Sequence, residues 1–383
     1  MSDLTSSFRT KQHNPTHHRR AQSGSQDDPD SILARLPMGT HDYIRVLGAI
    51  IKKKNHEHAK KHKGVSHKTI YERERFVVRF FRELRRETKY NNLDPRQLAN
   101  RHIEVMVERW VARGLHTATI HNYLSFLRTY GSWISKAGMV REPEFYVGSE
   151  SPHAHRTQVA AEDKSWSAKN VDVEAKIREI TAFDTHVGRQ LELCIRFALR
   201  RKEARHFRPH GAIIPSEQAM PRDAAPFPEC REFVRIRHGT KGGRPRDVPL
   251  QTAEQRELLA RLAAEVPPGM FVGQPRHTNV QSQSRFYYII RKFGISRKDL
   301  GVVAHGLRHQ NVNDGYEREC GAASPVRGGT GRPAGDHVAR QRAAVRLGHS
   351  RVRVTVNYLG RQIRGAEFQG PLADDNDDAE EAA

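Results

Sequence analysis

LGHSRVRVTVNYLG, residues 347–360, reads in two ways, and the choice between them decides the fold of the C-terminal half. Val352, Val354, Val356 and Tyr358 alternate with Arg353, Thr355 and Asn357, the two-residue period of a half-buried strand. Tyr358 also stands nine residues after His349, a spacing that gains meaning only if partners lie upstream. They do.

Working back from that stretch, AHGLRH at 304–309 holds His305-x-x-Arg308. Residues 318–336 lie between the two signals and hold so much Gly and Pro that they read as a long loop. Further upstream, TKGGRPRDVPL at 240–250 puts Lys241 on a Gly-rich turn between two strand patterns, 233–238 and 246–250, a β-hairpin. LRRKE at 199–203 puts Arg200 and Glu203 where one helix gives way to the next. Taken singly, each signal is bland. His-x-x-Arg recurs at His17, His153, His186 and His337, and a lone Tyr is mostly packing. The order and spacing of the set carry the weight.

The N-terminal half reads as helices. A segment at 43–51 puts Ile44, Leu47, Ile50 and Ile51 on one side. A second opens at Thr69 and Glu72, which have capping-box spacing, and carries Ile70, Val77, Phe80, Phe81 and Leu84. Asp94-Pro95 starts a third, with Ile103, Met106, Val107, Trp110 and Val111, stopped by Gly114. A fourth carries Ile120, Leu124, Leu127 and Ile134 as far as Gly138. The expected organisation is a flexible arm (1–39), a helical domain (40–138), a linker (139–164), a second domain (165–362) and an acidic, disordered tail (363–383). The second domain adds helices around 191–199, 254–264 and 280–293 to the hairpin, so the fold class is mainly α with a small β-hairpin or sheet.

Charge names a partner. Lys and Arg number 65 against 44 Asp and Glu, a net charge of +21 in 383 residues. Six acids (Asp374, Asp375, Asp377, Asp378, Glu380, Glu381) crowd the last ten residues, so the surplus on the rest is larger still. Such a surplus suits a polyanion, because each cation that pairs with a phosphate releases condensed counterions. Lys52, Lys53, Lys54, Lys60, Lys61 and Lys63 form the densest run and are the expected phosphate contacts. His56, His58 and His62 lie among them, but no Cys or clustered carboxylate completes a metal site. Cys194, Cys230 and Cys320 show no paired spacing, which fits a reducing compartment. No apolar run is long enough to span a bilayer and the N-terminus lacks a secretion signal, so a cytoplasmic protein is expected.

Over residues 40–360 the chain resembles the tyrosine recombinase (phage integrase) family: a helical core-binding domain followed by a catalytic domain. The resemblance implies a site-specific recombinase working on double-stranded DNA as a homotetramer on paired sites, with no cofactor and no metal. Tyr358 would form a 3′-phosphotyrosyl link, Arg200 and Arg308 would clamp the phosphate, and His305 and His349 would add donors. Lys241 would be the general acid, and Glu203 would orient the site. The form ending in Tyr-Leu-Gly looks like integrases of bacterial mobile elements, which act at the nucleoid. Ala198 stands where the family usually has Gly, and the stretch from His305 to His349 is longer than usual. The family's tyrosine lies in a helix, so a helix is expected here against the strand-like alternation. Two alternatives compete: a topoisomerase-like nicking-closing enzyme, and a DNA-binding protein on a catalytically decayed scaffold.

Overall fold

The computed structural model describes residues 28–39, 41–56 and 65–361. The chain divides into two units, Met1–Arg156 and Thr157–Ala383. Each unit has its own core, and each is built mostly of helices.

In the first unit, α1 (Pro29–Arg35) and α2 (Tyr43–Lys54) precede three longer elements, α3 (His67–Glu87), α4 (Asn100–Ala112) and α5 (Thr117–Trp133), and the short α6 (Pro143–Val147). The helical period of α3 turns Phe76, Val77, Phe80, Phe81 and Leu84 inward, where they meet Met106 and Trp110 of α4 and Leu124 and Leu127 of α5. At ~1.5–3 kcal/mol for each large apolar side chain buried, this stripe rather than helix propensity holds the unit together. Rings fill its centre, with the Phe76 and Tyr123 centroids 4.5 Å apart and Trp110 edge-on to Tyr123 at 5.0 Å.

Four boundaries differ from the sequence expectations. The cap of α3 is Ser66, whose Oγ accepts from the Thr69 N–H at 3.1 Å, so the helix starts earlier than the Thr69–Glu72 pair suggests. Residues 28–39, counted with the flexible arm, instead contain α1. Asp28 caps it, Pro29 fits its first turn, and Leu33 and Leu36 pack on the core. Arg96 fastens this segment by donating to the carbonyls of Leu36 (3.0 Å) and Pro37 (2.8 Å). Within the stretch assigned to a linker, Val140 is buried and α6 rests its Tyr146 and Val147 on the same core. Asp94-Pro95 opens a 3₁₀ turn, Pro95–Gln97, one step before α4.

The second unit runs α7 (Val173–Phe183), α8 (Thr185–Phe197), α9 (Arg201–Arg205), β1 (Ile213–Pro215), α10 (Pro221–Ala224), β2 (Glu232–Ile236), β3 (Arg246–Pro249), α11 (Ala253–Glu265), α12 (Asn279–Lys292), α13 (Gly306–Cys320), α14 (Asp336–Leu347) and α15 (Val356–Leu359). Among the described residues the strands form one antiparallel sheet in the order β1-β2-β3, with Ile213 opposite Val234 and Val234 opposite Val248. The β2–β3 pair is the hairpin read from the sequence. β1, only three residues long, gave no period to read. Val234, Ile236 and Val248 join the main core beneath α8, α11 and α12, while a smaller cluster (Ala198, Val312, Tyr316, Ala343, Leu347, Tyr358, Leu359) gathers around α13, α14 and α15. That smaller cluster positions the site.

Candidate active site

Local structure delivers the signal residues, Lys241 excepted, to one place. Arg200 follows α8 and is the N-cap of α9, where its own N–H donates to Glu203 Oε2 at 2.8 Å. Glu203 thus closes the helix start as the reciprocal half of a capping box does. His305 precedes the first turn of α13, and Arg308 points inward one turn on. The 347–360 stretch is not a strand. Val352–Thr355 forms a 3₁₀ turn, closed by Thr355 Oγ1 donating to the Val352 carbonyl at 2.7 Å, and α15 then carries Tyr358. Burying Tyr358 and Leu359 against α13 and α14 outweighs the local alternation of valines.

Arg308 is the centre. Its side chain is 1% exposed, and Nη1 and Nη2 donate to the carbonyls of Ala198 and Leu347. Its Nε donates to Tyr358 Oη at 3.3 Å, and His305 Nε2 lies 3.4 Å from the same oxygen. The His349 ring is 6.1 Å from the Tyr358 ring, centroid to centroid. Glu203, fully buried, receives Arg200 Nη1 at 3.0 Å and Arg246 Nη2 at 2.8 Å, and lies 4.0 Å from Arg308 Nη1. Burial alone would raise the Glu203 pKa, but Arg246, Arg200 and Arg308 together hold it down at about 2. Burial, and then repulsion by Arg200, lowers the Arg308 pKa from its ordinary value. A buried carboxylate shared by several guanidiniums, one of which reaches the phenol oxygen, suits an anionic phosphodiester better than a neutral substrate.

Three members were not read from the sequence. Arg246 on β3 bridges Glu203 and the Arg346 carbonyl (2.7 Å) and packs so tightly under Gly348 that a Cβ there would sit 2.4 Å from its Cδ. His309 is buried with its ring 4.5 Å from the Tyr358 ring, and burial, then His305, pushes its pKa well below the usual histidine value. Asn313 donates to the Tyr358 carbonyl at 3.2 Å.

The remaining candidates lie elsewhere. Lys241 starts a 3₁₀ turn, Lys241–Gly243, at the exposed hairpin tip, outside the buried cluster. Lys52, Lys53 and Lys54 form the last turn of α2, where cations favour the helix dipole, and Lys53 pairs with Asp30. Lys60, Lys61 and Lys63, with His58 and His62, lie outside the described residues. Among the described residues no cluster of His, Cys, Asp and Glu could hold a metal ion, and no helix is long and apolar enough to cross a membrane.

Fold and site together set a buried tyrosine hydroxyl against a fixed guanidinium and an imidazole in a mainly helical domain. Two family models match, "Phage integrase, N-terminal" over residues 52–141 and "Integrase" over residues 155–313, between them more than half of the chain. The chain belongs to the phage integrase family of tyrosine recombinases, and is a site-specific recombinase that cleaves and rejoins DNA. The second match includes Arg200, Lys241, His305 and Arg308, whereas His349 and Tyr358 lie beyond its end. Among solved structures, a lambda integrase dimer bound to a COC′ core site shares the fold at 14% identity, TM-score 0.51, covering 86% of this chain and 99% of that one. The Tn1549 transposon integrase in complex with a circular intermediate DNA is similar at 14% identity and TM-score 0.48, covering 82% of this chain and 95% of that one. A search of curated protein sequences gives no match.

Proposed function

We propose that Tyr358 is the nucleophile of this recombinase and that Arg200, Arg308, His305, His349 and Lys241 serve its attack on double-stranded DNA. The observation that carries the reading is the placement, within one chain, of Tyr358 Oη 3.3 Å from Arg308 Nε and 3.4 Å from His305 Nε2. A bond forms between Oη and phosphorus, and the bond from phosphorus to the 5′ oxygen breaks. The phenol proton passes to a neighbouring base, for which His305 is in reach, and the 5′ oxygen takes a proton from Lys241. The charge that spreads over the non-bridging oxygens meets Arg200 and Arg308, whose positions are fixed before substrate arrives. Rejoining is the reverse, with a 5′-hydroxyl attacking the phosphotyrosine. Cations fill the role that divalent ions play in many phosphoryl transfers, so the scheme needs no metal.

On the same reading, residues 40–138 grip the duplex, with the lysines of 52–63 against phosphates, and residues 165–362 carry the chemistry. Four copies on paired sites would integrate or excise a mobile element at the nucleoid of a bacterium. Neither a nicking-closing topoisomerase nor a decayed scaffold is favoured, because an integrase-type N-terminal match precedes the catalytic domain and every catalytic position is occupied. The test is covalent trapping. On a suicide substrate nicked beside the cleavage point, wild-type protein is expected to remain on the DNA 3′ end, and Tyr358→Phe is expected to bind without forming an adduct. An adduct with the Phe variant removes Tyr358 from the role.

A further inference from the structure

We infer that Ser324 and Asn313 are positioning residues for Tyr358, an inference that rests on Tyr358 being the nucleophile. α15 has only four residues, too few for its own hydrogen-bond ladder to fix it in place. Outside groups do so instead. Asn313 of α13, fully buried, sends its Nδ2 to the Tyr358 carbonyl (3.2 Å) and to the His309 carbonyl (3.0 Å). Its Oδ1 accepts from Ser324 Oγ at 2.5 Å. Ser324 is also fully buried and belongs to the Gly/Pro-rich loop between α13 and α14. A buried primary amide is costly unless its donors and its acceptor are used, and here both are.

The same loop touches the tyrosine segment again just past α15. Gly360 presses so closely on Val326 that a Cβ would lie 2.9 Å from the Val326 nitrogen. Arg327 anchors the loop through Asp163 (2.8 Å), Asp314 (2.8 Å) and Ser165 Oγ (3.1 Å). Ala160, a few residues before that anchor, donates its N–H to the Val356 carbonyl at 3.0 Å. The nucleophile's helix is therefore held by the loop on one side and by the start of the second unit on the other. A shift of the loop moves the Tyr358 backbone and leaves the guanidinium cluster where it is. Misplacing a reacting group by ~1 Å costs on the order of a hundredfold in rate.

Single-turnover cleavage of the nicked substrate, at saturating DNA and alongside binding and thermal melting, tests this. Ser324→Ala is expected to slow covalent adduct formation by roughly tenfold with DNA affinity unchanged, and Asn313→Asp, which loses the donor, by about a hundredfold. Ser324→Thr, which keeps the hydroxyl, should recover most of the rate. Combining Ser324→Ala with Asn313→Asp should add almost nothing, because the two act as one chain. Wild-type rates in Ser324→Ala and Asn313→Asp would overturn the inference. So would a defect that disappears on cooling well below each variant's Tm, since that marks lost stability alone. Should Asn313→Asp fail to fold, the Ser324 pair decides. Tyr358→Phe, run in parallel, separates the two levels. An adduct there removes the nucleophile assignment itself, whereas no adduct there with unimpaired Ser324 and Asn313 variants removes only the positioning role.

Discussion

The buried cluster around Glu203 and the exposed tip of the β2–β3 hairpin belong to one proposed site but are built in opposite ways. In the cluster, Arg246 and Arg200 share one carboxylate, and Arg308 is tied to two carbonyls and 1% exposed. At the tip, Lys241 stands exposed beside Gly242, whose φ of +68° gives a turn rather than a packed element. The difference follows the tasks proposed for them. Stabilising charge on non-bridging oxygens gains from groups fixed in a dry, low-dielectric setting. Delivering a proton to a leaving oxygen asks for reach, which a four-carbon stem on an open turn supplies.

The largest effect that could break this contrast is chemical. If Lys241 is the general acid, Lys241→Ala should lose ~10²–10⁴-fold in cleavage rate on ordinary DNA. With sulfur in place of the bridging 5′ oxygen, the leaving group is a thiolate, whose conjugate acid has a pKa near ~8.5, and no proton is needed. The variant should then cleave at nearly the wild-type rate, while Arg308→Ala, acting at the non-bridging oxygens, should show no rescue. Equal defects of Lys241→Ala on both substrates would leave the hairpin tip as a phosphate contact and erase the division of labour.

The buried side can be tested by pH. The folded pKa of Glu203, about 2, lies below its ordinary 4.5, so its contribution to stability is complete above 4.5 and is lost as pH falls toward 2. Glu203→Gln leaves Arg246, Arg200 and Arg308 without their counter-charge and should cost ~3–5 kcal/mol at neutral pH. By linkage the gap between wild type and variant should narrow by ~1–2 kcal/mol at pH ~3. Urea unfolding of both proteins at the two pH values measures it. A gap that stays constant would mean that Glu203 acts by shape and capping rather than by charge.

How much of this was legible differs along the same division. The cluster's Arg200, Glu203, His305, Arg308 and Tyr358 were readable because each sits in a short, ordered signal. Arg246 was not, although its neighbour offered a clue: Arg246 and Asp247 are adjacent charges in a strand pattern, and both are buried. A charged pair in a short strand that cannot place both residues in solvent marks a polar network. His309 and Asn313 share the helix of Arg308, but periodicity does not reveal which polar residues of a helix face inward when the partner is a loop. α1 was missed although Asp28-Pro29 is the same pair that was read as a helix start at Asp94-Pro95, where it opens a 3₁₀ turn. The composition of the first thirty residues hid it. The valine alternation before Tyr358 pointed to a strand, and the helix expected from the family resemblance forms instead, because packing on α13 and α14, a long-range effect, sets the backbone there.

The smallest expected effect sharpens the contrast most finely, because the two regions share one unusual backbone conformation. Ala198 lies in the left-handed region at φ +49° and is fully buried against the Tyr358 cluster, whereas Gly242 lies there at φ +68° with open space where a side chain would go. An L-residue in that region is strained by ~1–2 kcal/mol. Ala198→Gly relieves the strain but removes a buried methyl, worth ~0.8 kcal/mol, and adds ~0.5–1 kcal/mol of unfolded-state freedom. The contributions nearly cancel, so the net change should stay within ~1 kcal/mol. Gly242→Ala meets the strain with no burial to offset it and should destabilise by about 1 kcal/mol. Denaturant midpoints of the two variants, measured side by side, give the ordering. If Ala198→Gly proves the more damaging, the methyl's packing against the tyrosine cluster outweighs backbone strain, and the buried side of the site is held more tightly than its hydrogen bonds alone imply.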